Sequence, residues 1–201
     1  MQPLSNVLQQ LNPQQRESVL HESGPLLLVA GPGSGKTRVI TVRAARLFQE
    51  GICNPDELTC VTFTNKAAGE MRDRLRKMVG AVAFSAHLRT FHSMCLRILR
   101  RHSSHLDGFD KRFTVYDEKD SLKLLRQIRA EHAAWFDGLG PEGQNTSNTK
   151  DVIAIASKKL DVWKNRGLAP DEVTGPAAII YTEYQSRLHA SNAMDFGDLL
   201  L

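Results

Sequence analysis

Ala30-Gly31-Pro32-Gly33-Ser34-Gly35-Lys36-Thr37 constrains this chain more than any other stretch of it. It matches the Walker A phosphate-binding pattern, with Ala30 in place of the first glycine. Successive backbone N–H groups in such a loop converge into a nest for an anion. Glycine supplies the backbone angles and the close approach that this needs. The helix that follows turns its free N–H groups and positive dipole end toward the same point. In this pattern Lys36 reaches the β- and γ-phosphates, and Thr37 sets its hydroxyl on Mg²⁺.

The flanks agree with the loop. Leu26-Leu27-Leu28-Val29-Ala30 is an apolar run of strand length behind Gly24-Pro25, the pattern of a strand buried on both faces of a parallel sheet. Lys36 to Glu50 has helical spacing and Gly51 is a good stop. Leu58 to Phe63 reads as a second buried strand, Lys66 to Val79 as a second helix and Thr90 to His105 as a third with a basic outer face. Ahead of the loop, residues 4–22 read as a short helical entry, with Asn12 capping a helix that starts at Pro13. Strand, loop, helix, strand and helix open a doubly wound α/β domain.

The character changes near Asp107. Residues 118–136, 150–165 and 170–190 are helical in pattern, Gly138 to Asn148 reads as an exposed loop, and no comparable strand signal follows about Tyr116. The expected division is residues 1–106, a mostly helical unit at 107–190, and 191–201. Charge divides similarly: residues 1–106 hold 14 basic and 7 acidic residues, so a polyanionic partner suits the first half. Cys53, Cys60 and Cys95 have no metal-ligand spacing, and so sparse a set suits a reducing compartment, with Cys60 and Cys95 as small core residues. The first 15 residues lack the regions of a signal peptide, and the run Leu26–Ala30 is too short to cross a membrane. The expectation is a cytoplasmic protein.

Four segments in order resemble superfamily 1 helicases of the UvrD/Rep/PcrA type. Leu11-Asn12-Pro13-Gln14-Gln15 resembles their Q motif, 21 residues ahead of Lys36. Thr62-Phe63-Thr64-Asn65-Lys66-Ala67-Ala68 resembles motif Ia, and Thr90-Phe91-His92-Ser93 resembles motif Ib. Met194-Asp195-Phe196-Gly197-Asp198-Leu199-Leu200 resembles the segment where the family's chain returns to its core. The resemblance implies a P-loop NTPase (RecA-like) parallel sheet core that is incomplete here, with residues 107–190 as an inserted helical subdomain that helps contact duplex DNA. It implies ATP and Mg²⁺ as cofactors, Gln15 on the adenine edge, Arg38 near base and sugar, and residues 30–37 around the phosphates. It implies DNA contacts at Thr62, Phe63, Thr64, Asn65, Thr90 and His92, with single-stranded DNA and a single/double-strand junction as partners. Taken singly, Phe63 and Phe91 would more often be core residues; the ordered set of motifs favours binding. The implied activity is ATP-driven 3′→5′ movement on single-stranded DNA, in repair or replication.

A P-loop motor also needs an acidic strand end for Mg²⁺ and the attacking water. Asp56-Glu57 precedes its strand, Asp171-Glu172 reads as helix capping, and Phe113-Thr114-Val115-Tyr116-Asp117-Glu118 has the right shape but falls at the start of the helical unit. By the resemblance the true acidic strand lies beyond Leu201, so these 201 residues are expected to hold nucleotide without hydrolysing it. Two alternatives stay open at this point: a complete small nucleotide kinase using Asp117 and Glu118, and a non-catalytic product that binds DNA or a partner.

Overall fold

The computed structural model describes residues 4–139 and 149–201. The greater part of the expected loop Gly138–Asn148 therefore lies outside the described residues. The chain divides into two compact units, Met1–Met94 and Cys95–Leu201.

In the first unit α1 (Leu4–Gln9) and α2 (Pro13–Leu20) form the helical entry. Asn12 caps α2 as expected: its side chain accepts the Gln15 N–H at 2.8 Å, and Gln15 Oε1 accepts the Asn12 N–H at 3.2 Å. α3 (Lys36–Gln49) follows the glycine loop, then β1 (Thr59–Thr62), α4 (Asn65–Val79) and β2 (His87–Thr90). α3 packs Val39, Val42 and Ala45 against Met71, Leu75 and Met78 of α4, with Leu88 of β2 beneath. Arg43 and Arg46 reach across to donate to the Ser18 and Val19 carbonyls, satisfying the open C-terminal end of α2. Cys60 packs against this core, and burial pushes its thiol above the ordinary range.

β1 and β2 are parallel, in the register Thr59↔His87 through Thr62↔Thr90. Both strands therefore end together and lead straight into helices. α5 (Phe91–Arg101) begins on a reciprocal cap, in which Thr90 Oγ1 accepts from the Ser93 N–H and Ser93 Oγ accepts from the Thr90 N–H.

One expected element is absent. Leu26–Ala30 is not a strand, and Leu27 and Val29 are each 87% exposed. The apolar run has the composition of a buried strand, but a strand exists only as a ladder. Among the described residues β1 pairs with β2 alone, and nothing pairs with 26–30.

The second unit contains β3 (Thr114–Tyr116), α6 (Glu118–Glu131), α7 (Thr149–Asn165), α8 (Pro176–Ala190) and β4 (Ala193–Asp195). The expected single helices 118–136 and 170–190 are each broken. The turns 133–136 and 170–172 are short tight helices of their own. α6, α7 and α8 enclose Leu125, Ile128, Ala156, Ile180 and Tyr181. β4 is a strand the sequence does not announce. It pairs in parallel with β3, Thr114↔Ala193 through Tyr116↔Asp195, so the entry and exit of the helical unit run side by side.

Candidate nucleotide and DNA site

Gly33 and Gly35 hold φ of 74° and 89°, the left-handed angles that let the loop curl back before α3. Lys36 Nζ lies across the loop and donates to the carbonyls of Ala30 (2.9 Å) and Gly31 (2.7 Å). The ammonium is thus held at the mouth of the nest, where an incoming phosphate would exchange with the two carbonyls. Ser34 closes the curl, its Oγ donating to Gly31 O at 2.7 Å. These donors fit a nucleotide's phosphates: a cation, a helix N-terminus and glycine backbone with no Cβ in the way.

Gln15 joins this loop directly. Its Nε2 donates to Ser34 O at 2.9 Å, while Oε1 accepts from Asn12 N. A Cβ on Gly35 would stand 3.0 Å from that Nε2, so the amide lies close against the loop. Asn12, Gln14, Gln15, Ala30, Ser34 and Lys36 share the walls of one small cavity of about 120 Å³. Arg38 donates to Gln10 Oε1 at 3.0 Å. Together with Arg74, Lys77 and the Thr41 side of α3 it borders a larger cleft of about 370 Å³. Gln10, Arg74 and Lys77 belong to no motif in the sequence. Arg74 and Lys77 sit one turn apart on α4 and read as an ordinary solvated face; only packing of α4 on α3 brings them to Arg38.

Parallel pairing also explains how the two aromatic segments meet. Phe63 follows Thr62 and Phe91 follows Thr90, residues paired in the ladder, so the rings lie at the same strand end, 5.4 Å apart and tilted by 45°. Phe63 is 88% exposed and Phe91 is exposed beside it. The carboxyl edge of a parallel sheet is where open α/β sheets bind ligands. Asn65 is exposed next to them. The two threonine hydroxyls have local partners: Thr64 Oγ1 caps α4 by accepting from Ala67 N at 3.1 Å, and Thr90 is buried in the cap of α5. Thr62 and His92 are half-buried.

Two of the acidic candidates serve as caps. Asp117 caps α6, accepting the Asp120 N–H at 2.9 Å, and the turn at 170–172 is capped by Glu172 on Ala169 N. The return segment shows a site the sequence did not announce. Lys164 of α7 is 2% exposed. It donates to Asp195 Oδ2 (2.6 Å) and Gln185 Oε1 (2.9 Å) and forms an ion pair with Asp198 Oδ1 at 2.7 Å. Tyr184 OH donates to the same Asp195 oxygen. Burial pushes the Asp195 carboxyl upward, but Lys164 and the hydrogen bonds outweigh it and leave it below the ordinary range. Asp198 is left above that range, by burial first.

Comparison with known proteins decides the family. The profile of the UvrD/REP helicase N-terminal domain matches residues 11–201. The chain belongs to the UvrD/REP helicase family. It is 40% identical over 202 residues to an ATP-dependent DNA helicase UvrD1 of Mycobacterium tuberculosis, covering 98% of this chain and 26% of that protein. It is 38% identical to a probable DNA helicase II homolog of Rickettsia felis, over 95% of this chain and 29% of the relative. With the ATP-dependent DNA helicase PcrA of Bacillus subtilis the identity is 37%, over 100% and 27%. The chain thus spans about a quarter of the length of these curated relatives. Among the described residues no helix is long and apolar enough to cross a membrane.

Proposed function

We propose that these residues form the nucleotide cradle and part of the DNA track of an ATP-dependent DNA helicase that moves 3′→5′ on single-stranded DNA. The observation that carries this reading is the first unit itself. A glycine loop holding Lys36 at its mouth and an exposed Phe63–Phe91 pair both occur on one parallel α/β scaffold.

In this reading Lys36 leaves the Ala30 and Gly31 carbonyls for the β- and γ-phosphates, and residues 30–37 surround them. Thr37 offers its hydroxyl to Mg²⁺, which would neutralise phosphate charge. Gln15 leaves Asn12 N and Ser34 O to read the adenine edge, and Arg38 borders the cleft for base and sugar. Phe63 supplies a stacking face to a base, worth about 1–3 kcal/mol in single-strand binding. Thr62, Thr64, Asn65, Thr90 and His92 shape the surrounding track toward a single/double-strand junction. Residues 1–106 belong to the P-loop, RecA-like motor core, 107–190 to an inserted helical subdomain, and 191–201 to the return to the core. The side-by-side course of β3 and β4 suits an insertion whose ends must meet. The whole protein works in the cytoplasm.

Because Asp117 is committed to capping, the 201-residue chain should bind nucleotide but hydrolyse little. A sensitive phosphate-release assay on the pure chain tests this. Turnover that Lys36→Ala abolishes would show that the acidic machinery is already present and overturn the assignment.

A further inference from the structure

The second unit keeps its charges apart. Residues 95–116 hold five basic and two acidic residues, whereas 117–201 hold ten basic and thirteen acidic. The basic residues are Arg97, Arg100 and Arg101 of α5, and Lys111 and Arg112 of the turn before β3. Packing joins these two stretches. The Arg100 guanidinium lies 5.6 Å from the centre of the Phe113 ring, whose sequence neighbours are Arg112 and Lys111. Beneath them Phe113, Met194 and Leu199 pack with Leu96, Leu99 and Phe109, so the surface sits on a firm apolar base.

Arg101, Lys111 and Arg112 are exposed, and the Arg112 side chain retains 85% of its accessible surface. The adjacent carboxylate offsets little of this charge. Asp110 Oδ1 accepts the Arg112 backbone N–H at 2.6 Å, and its other oxygen is 3.7 Å from the guanidinium. Cations at the end of α5 also complement the helix dipole. That accounts for Arg100 and Arg101 but not for Lys111 and Arg112, which lie on a turn.

We infer that Arg100, Arg101, Lys111 and Arg112 form a sequence-independent binding face for the phosphate backbone of DNA, separate from the Phe63–Phe91 pair. The inference rests on the DNA-binding reading above. Its chemistry is that of charge alone, with Arg100 fixed by the ring and the other three able to follow a phosphate chain.

The test is the salt dependence of binding by the 201-residue chain, using a labelled oligo-dT and a labelled blunt duplex. The variants are Arg101→Gln/Lys111→Gln/Arg112→Gln together, and Phe63→Ala. The triple variant spares Arg100 and alters only exposed side chains, and an unchanged circular dichroism spectrum verifies its fold. Each lost phosphate contact should lower the slope of log affinity against log salt by about 0.7 for single strands or about 0.9 for duplex, so the triple variant should lose about 2 to 3. Which of the two DNAs shows the drop identifies the form of DNA that lies here. Phe63→Ala should weaken oligo-dT binding with its slope unchanged. Equal slopes for wild type and triple variant on both DNAs would overturn the inference; if Phe63→Ala still weakens binding, the DNA-binding reading survives. A wild-type chain that binds neither DNA overturns both.

Discussion

Replacing Lys164 by methionine removes the ammonium that Asp195 and Asp198 share while keeping most of the side chain's volume. At the observed 2.6 and 2.7 Å, each ion pair carries a gross attraction of about 6 kcal/mol at an effective dielectric of ~20. Desolvation of the three groups offsets much of this. What the variant suffers is the stranding of two carboxylates whose side chains keep only 12% and 11% of their accessible surface, which costs about 3–5 kcal/mol. The assay is urea unfolding followed by tryptophan fluorescence. Both tryptophans, Trp135 and Trp163, lie in the second unit, so the signal reports the unit that contains the lysine. Without the cation both carboxyls should have folded-state pKa values raised above their unfolded ones. A raised carboxyl pKa costs stability above that pKa and costs nothing once the pH is below both values. The deficit should therefore be full at pH 7 and shrink as the pH falls toward about 4. Adding Asp195→Asn and Asp198→Asn should recover much of the loss at pH 7. A Lys164→Met variant less than about 1 kcal/mol below wild type, with no pH dependence, would refute the reasoning.

Further outcomes follow from other contacts. Gly197→Ala would put a Cβ 2.7 Å from Lys164 Cδ in the same buried cluster, and should lower stability by about 1–3 kcal/mol in the same fluorescence assay. Gly35→Ala forces a left-handed angle on a residue with a Cβ and crowds Gln15; it should cost about 1–2 kcal/mol of stability and weaken nucleotide binding. Asn12→Ala removes one half of the cap on α2 and should cost about 1 kcal/mol by thermal melting. Leu27→Lys with Val29→Lys should change stability by less than about 0.5 kcal/mol in a thermal melt, since both side chains are already exposed.

The glycine loop, the helices around it and the cap at Asn12 were legible because each depends on residues close in sequence. Thr64 likewise marks the start of α4 by its own side chain. Leu26–Ala30 shows the limit of such signals. Apolar composition records what a segment is suited to, whereas a strand also requires a neighbour that no local window contains. Lys164 is the opposite case: a lysine near a helix end reads as solvated, and only the fold brings it onto Asp195 and Asp198. A signal existed in the spacing Asp195-Phe196-Gly197-Asp198, where a glycine between two acids leaves room for a third group. The cleft bordered by Arg38, Arg74 and Lys77 was hidden for the same reason, since its walls come from separate helices. Phe63 and Phe91 were ambiguous singly and became informative through the parallel register that sets them at one strand end.

If the glycine loop is a working phosphate cradle, Lys36 must carry nucleotide affinity. Equilibrium binding of a fluorescent ATP analogue with Mg²⁺, comparing wild type with Lys36→Ala, addresses it most directly. The wild-type chain should bind saturably, and the variant should lose that binding while keeping its fold. Equal binding by the two folded proteins, or none by either, would contradict this role of the loop.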